Sequence, residues 1–232
     1  MLDNTQDNSH PKTIQLARAT GLWYLALAVT GMVGFLFLHD RIFVTDDPVQ
    51  TMDHIIHHQG LARVRLLLEL GIIVSQAGAA VWFFRLFKPL NEWAAWAIGI
   101  WGMMNAAAIM VSAIAMASTI DIAMLVRPAG ADRLTLVHGL MKLMSNAWGV
   151  GGLFFGLWLL PMGYTVIQSG RMPVWLGRAL ILGGIGYLLQ TMLVYAGIKS
   201  PYLSLVVVPA TIGEFWMIGY LLIYGMRPAD KA

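Results

Sequence analysis

At 232 residues, 58% hydrophobic and 12% charged, with a mean hydropathy of +0.69, the chain carries more apolar surface than a water-soluble fold of this length can hide. Its pI near 9.3 does not mark a nucleic-acid-binding surface, because the 15 Lys and Arg are scattered among short loops and apolar runs rather than gathered in a basic stripe. The absence of cysteine excludes disulfides, Cys-ligated zinc, iron–sulfur clusters and a thiol nucleophile.

Residues 1–12 are polar, and the apolar run from Ile14 to Leu38 is longer than the core of a cleavable signal, so it is read as a retained first span. Asp47 then offers a helix cap and Pro48 suits a first turn. The pattern that follows is amphipathic: Val49, Met52, Ile55 and Ile56 share one side, and Gln50, Asp53, His54, His57 and His58 the other. This predicts a helix lying flat on the outer membrane surface. Further runs extend from Leu61 to Phe87, Trp93 to Ala117, Leu134 to Leu160, Val174 to Ala196 and Leu203 to Met226. Each can cross a core of about 30 Å, which takes about 20 helical residues. No period-two alternation suggests a barrel, and Pro89, Pro173 and Pro201 stand at span starts. The fold expected is therefore all-α: one transmembrane domain, 1–232, of about six helices.

Lys12, Arg18, Arg85, Lys88, Arg171, Arg178, Arg227 and Lys231 fall on one side of such a bundle, which predicts that both termini are cytoplasmic. The two longer connections, Asp40 to Gly60 and Ser118 to Arg133, lie on the other side. Trp82, Trp93, Trp175 and Tyr202 sit near the expected interfaces.

Ionisable residues inside spans carry the functional information, since each costs about 2.5–3.5 kcal/mol at a helix centre and must face protein or water. Arg65, Glu69 and Gln76 project from one face of the second span, and Thr135, His138, Lys142, Ser145, Asn146 and Gly149 recur every three or four residues on the fourth. Thr211 and Glu214 follow Pro209 on the sixth. Counted by helical rise, Glu69 and Lys142 lie about 12 Å and Glu214 about 16 Å below the outer boundary, with Asn105 near the same level. Two arrangements satisfy these charges. One is a polar cavity opening outward, lined by Arg65, Glu69, Asn105, Lys142, Asn146 and Glu214, with His138 and Gln190 as further candidates; the other is a closed network that fixes helix register.

Other chemistry has weaker support. His54 and His58 are spaced for a metal on a helix and His138 could join them, but no H-E-x-x-H pattern occurs. His138 is the only histidine well inside a span, which argues against b-type haem. Lys142 is the sole candidate for a retinal Schiff base, and a counter-ion pair explains it as well. Gly152, Gly156, Gly183, Gly184 and Gly186 indicate close helix packing. No phosphate-binding loop or nucleophile elbow is present.

Several stretches carry a family resemblance: LARATGLWYLALAVTG, GLARVRLLLEL, RLFKPLNEWAAW, GLFFGLWLLPMGYTVIQSGRMPVWLGRALILGGIGYL and PATIGEFWMIGYLL. Together they span nearly the whole chain. The chain resembles a bacterial family of multi-pass membrane proteins, the domain-of-unknown-function family 4386, with FFGLWLL, SGRMPVWLG and GEFWMIGYLL as its most specific segments. Arg65, Glu69 and Glu214 fall on charged positions of that pattern, although Asp is expected where Glu69 stands, and the HIIHH segment is particular to this sequence. The resemblance implies the fold and the membrane and lends no activity or cofactor.

Three functions remain open. The first is a transporter- or receptor-like protein that binds a small ligand or handles protons in the outer polar layer, in the bacterial cytoplasmic membrane. The second is an accessory subunit whose polar layer is structural and whose partner is another membrane protein or a second copy. The third, an intramembrane enzyme using Glu69 or Glu214 as acid or base, lacks an evident nucleophile.

Overall fold

The computed structural model describes residues 9–125, 130–198 and 200–227. Lys231 and the first eight residues of the polar tail lie outside them, as does part of the connection from Ser118 to Arg133. Among the described residues every regular element is helical. Among the described residues, six segments are long and apolar enough to cross a bilayer: Pro11–Ile42, Gln59–Phe87, Glu92–Ala123, Ala131–Ser169, Val174–Tyr195 and Pro201–Ile223.

Helix α1 (Ser9–Met32) widens into π turns over Val33–His39 and ends in one turn at Asp40–Ile42. Then come α2 (Pro48–His57), α3 (Gln59–Phe87), α4 (Glu92–Ala123), α5 (Ala131–Ser169) and α6 (Val174–Tyr195), and a 3-10 entry, Pro201–Val207, leads into α7 (Val208–Ile223). Local chemistry sets the starts. Asn91 accepts from the Ala94 amide at 2.9 Å, Asp47 accepts from the Gln50 amide at 2.9 Å with Pro48 in the first turn, and Pro173 occupies the cap position of α6. One expected end is overturned: α5 does not stop at Leu160 but runs through Pro161 to Ser169. Pro161 forfeits one backbone hydrogen bond, a loss bilayer helices tolerate when neighbours enclose the site, and here Leu159 and Met162 are fully buried. Outward faces are apolar, with Leu67, Ile114 and Leu182 all exposed, as lipid requires.

The chain forms two compact units. The first comprises Met1–Leu25, Gln76–Asn105 and Gly152–Ala232; the second comprises Ala26–Ser75 and Ala106–Gly151. In the first, α5 and α6 meet through reciprocal glycines. A Cβ on Gly156 would lie 2.7 Å from the Gly184 carbonyl oxygen, and one on Gly163 would lie 2.5 Å from that of Gly177. Gly183 is pressed as closely against Ala210 of α7. The glycines singled out in the sequence are thus used on contacts inside this unit. Tyr24, Phe83 and Trp158 form an edge-to-face trio with ring centroids 5.3–5.6 Å apart.

In the second unit, α2 does more than lie on a surface. Met52 and Ile55 are buried in a cluster with Ile42, Phe43, Met116, Ile120 and Val137, whereas Val49 and Ile56 stay exposed. The apolar stripe is split because protein covers only its middle, and the exposed pair is left for the interfacial zone.

Candidate functional site

The second unit holds the most polar assembly. Arg65 and Glu69, one helical turn apart on α3, pair at 2.8 Å with both side chains fully enclosed. Ser112 of α4 donates to Glu69 Oε1 at 2.6 Å, and Trp148 Nε1 of α5 donates to the same oxygen at 2.8 Å. The carboxylate therefore has a charged donor on one oxygen and two neutral donors on the other, the satisfaction that a buried ion needs. Phe35 lies under the guanidinium, 4.7 Å from ring centroid to Cζ, and meets Trp148 edge-to-face at 4.6 Å. Gly34 lies against the guanidinium, where a Cβ would sit 3.4 Å from an Arg65 nitrogen, an ordinary contact distance. Arg65 Nε and its second terminal nitrogen have no protein partner.

Against this assembly lies a cavity of about 220 Å³ lined by Phe35, His39, Phe43, Val44, Thr45, Asp46, His138, Met141, Lys142, Met144, Ser145 and Trp148. Phe35 and Trp148 belong to both, so the locked Arg65–Glu69 pair holds two of the cavity's aromatic walls. Lys142 is not tucked into the Glu69 network: its ammonium pairs with Asp46, and both side chains are more than half exposed. The reason is reach, since a four-carbon stem lets an ammonium climb from its backbone level to a wetter one. Asp46 sits in the left-handed backbone region, at φ 59°, on the turn before α2. The Lys142 hydrogen bond, and then its charge, hold the Asp46 carboxyl below the usual carboxylate range.

The remaining candidates are distributed. Asn146 on α5 is exposed. In the first unit, Asn105 is fully buried with neither side-chain polar atom bonded to protein, and Gln76 donates to the Gly102 carbonyl at 3.4 Å while its own oxygen lacks a partner. Glu214 accepts from the Tyr24 hydroxyl at 2.6 Å. Gln190 stands near the end of α6, in a shallow surface recess with Val194, Ile198 and Ser204. Among the described residues no group of three or more His, Asp or Glu is placed to share a metal ion. The His54 and His58 rings are 6.5 Å apart, and His57 Nδ1 lies 3.2 Å from Asp53.

Sequence reasoning found Arg65 and Glu69 by their spacing but missed Ser112, Trp148, Phe35 and Tyr24. Ser112 had a usable signal, a hydroxyl inside an apolar span; the aromatic residues had none, because Trp, Tyr and Phe are ordinary lipid-facing or core residues.

No solved structure matches the chain. An uncharacterized protein of Archaeoglobus fulgidus is 38% identical over 48 residues, which are 21% of this chain and 30% of that protein, so the chain spans under a third of that relative's length. The family model for the domain of unknown function DUF4386 matches residues 19–225, and the chain belongs to that family of multi-pass membrane proteins.

Proposed function

We propose that this protein is a transporter- or receptor-like protein of the bacterial cytoplasmic membrane, with both termini cytoplasmic, that admits a small ligand to the Lys142 cavity from the opposite side. The observation that carries the reading is the cavity itself: a recess with an ammonium and two imidazoles, walled by Phe35, Phe43 and Trp148. Apolar walls with a few convergent polar groups are what small-molecule sites require. Its volume of about 220 Å³ is below the roughly 300–1,000 Å³ of drug-sized pockets, which favours a compact ligand. Lys142 already holds one carboxylate, that of Asp46, so a ligand bearing an anionic group can take that place, with His39 and His138 as further donors. Arg65 and Glu69 serve as the support of the cavity wall.

The test is thermal stability of the protein in lipid nanodiscs against matched small carboxylates and amines, acetate and benzoate beside methylamine and benzylamine. A carboxylate present at 100 times its Kd raises stability by about 2.7 kcal/mol. Stabilisation by benzoate that is lost in Lys142→Gln is the expected result. Stabilisation by the amines instead, or an equal benzoate response in Lys142→Gln, overturns it. A second reading, a structural or accessory role, is favoured by the complete enclosure of Arg65 and Glu69; it predicts that neither ligand series changes stability.

A further inference from the structure

Glu214 poses a separate question within the first unit. It lies nine residues from the Ile223 end of a span that runs from Pro201 to Ile223, which is about 14 Å along the helix axis. Its neighbours Ile212, Phe215 and Trp216 are exposed apolar residues, so this stretch of α7 faces lipid on one side. Glu214 itself is half-buried. Its bond from Tyr24 is short, at 2.6 Å, and Tyr187 of α6 is the other titratable side chain close enough to act on it. Phe83 and Trp158, which pack on Tyr24, bring no charge. No Lys, Arg or His among the described residues is paired with Glu214. The contrast with Glu69 is sharp: that carboxylate has an arginine and two further donors, whereas Glu214 has a single neutral donor in a less polar setting.

An isolated carboxylate in a medium of low dielectric is so costly that the group takes up a proton instead. One tyrosine hydroxyl cannot replace the counter-ion. We infer that the Tyr24–Glu214 pair is a proton-binding site: the Glu214 carboxyl holds an exchangeable proton, hydrogen-bonded to Tyr24, and gives it up as the medium becomes more alkaline. Release breaks the carboxyl O–H bond, leaves the electron pair on the oxygen, and leaves the Tyr24 hydroxyl donating to the new anion. The site is independent of the Lys142 cavity, and either assignment can fail without the other.

Dicyclohexylcarbodiimide, an apolar reagent that adds to protonated carboxyls from the lipid phase, tests it. The intact protein in lipid nanodiscs is treated over a series of pH values, and the adduct on each acidic residue is quantified by peptide mass spectrometry. Glu214 is expected to be modified at neutral pH, with the yield falling by about tenfold per pH unit beyond its midpoint. Tyr24→Phe removes a hydrogen bond that favours the anion, so modification is expected to persist to higher pH. The wild-type titration decides the matter even where Glu214→Gln fails to fold. An unmodified Glu214 at neutral pH, or a yield that does not change with pH, overturns the proposal.

Discussion

Glu69 illustrates how one residue can hold a polar core together. Replacing it with leucine strands the Arg65 guanidinium in a fully enclosed site, a change that costs about 3–5 kcal/mol. Replacing both, as Arg65→Met with Glu69→Leu, removes the stranded charge and is expected to recover most of that loss. Recovery stays incomplete because Ser112 and Trp148 each lose an acceptor, worth about 1 kcal/mol apiece. Denaturant unfolding in mixed micelles measures both; a double variant no more stable than Glu69→Leu contradicts this account of the pair. The pair was legible in the sequence because four-residue spacing on an apolar helix leaves two opposite charges little choice of partner. Lys142 was not, since its partner Asp46 is 96 residues away on a turn, and nothing local fixes the direction of a long flexible stem.

Among the elements, α5 and α6 add close backbone contact to their side-chain packing. Gly163 and Gly177 face one another so closely that even a methyl group must part the helices, and overpacking of this kind costs about 1–3 kcal/mol. Gly163→Ala is therefore expected to lower the unfolding midpoint. Gly139→Ala, on the same helix but with open space around it, is expected to leave it unchanged or raise it, since alanine is the better helix former. Equal responses from the two variants would remove the close-packing argument. The sequence disclosed the spans, the Asp47 cap and the presence of glycine faces, because lipid thickness and capping chemistry act locally. It could not disclose that Pro161 leaves α5 unbroken, which depends on neighbours enclosing the proline, nor that only half of the apolar stripe of α2 is covered.

For the whole molecule, the number of span-length helices was readable from the lengths of the apolar runs, whereas the partners of the polar residues were not. Depth counting assigned Glu69, Lys142, Asn105 and Glu214 to one layer, but equal depth says nothing about azimuth around the bundle. Their hydrogen bonds show Glu69 with Ser112 and Trp148, Lys142 with Asp46, and Glu214 with Tyr24. The central claim is that a water-accessible cavity beside Lys142 opens opposite to the positively charged loops. Because the chain has no cysteine, single substitutions report without background. The direct measurement is labelling of Ser145→Cys by a membrane-impermeant maleimide in spheroplasts, with Val137→Cys, fully buried on the same helix and away from the cavity lining, as control. The account predicts that Ser145→Cys reacts from outside sealed spheroplasts and Val137→Cys does not; a Ser145→Cys that reacts only after the cytoplasmic side is exposed, or not at all, contradicts it.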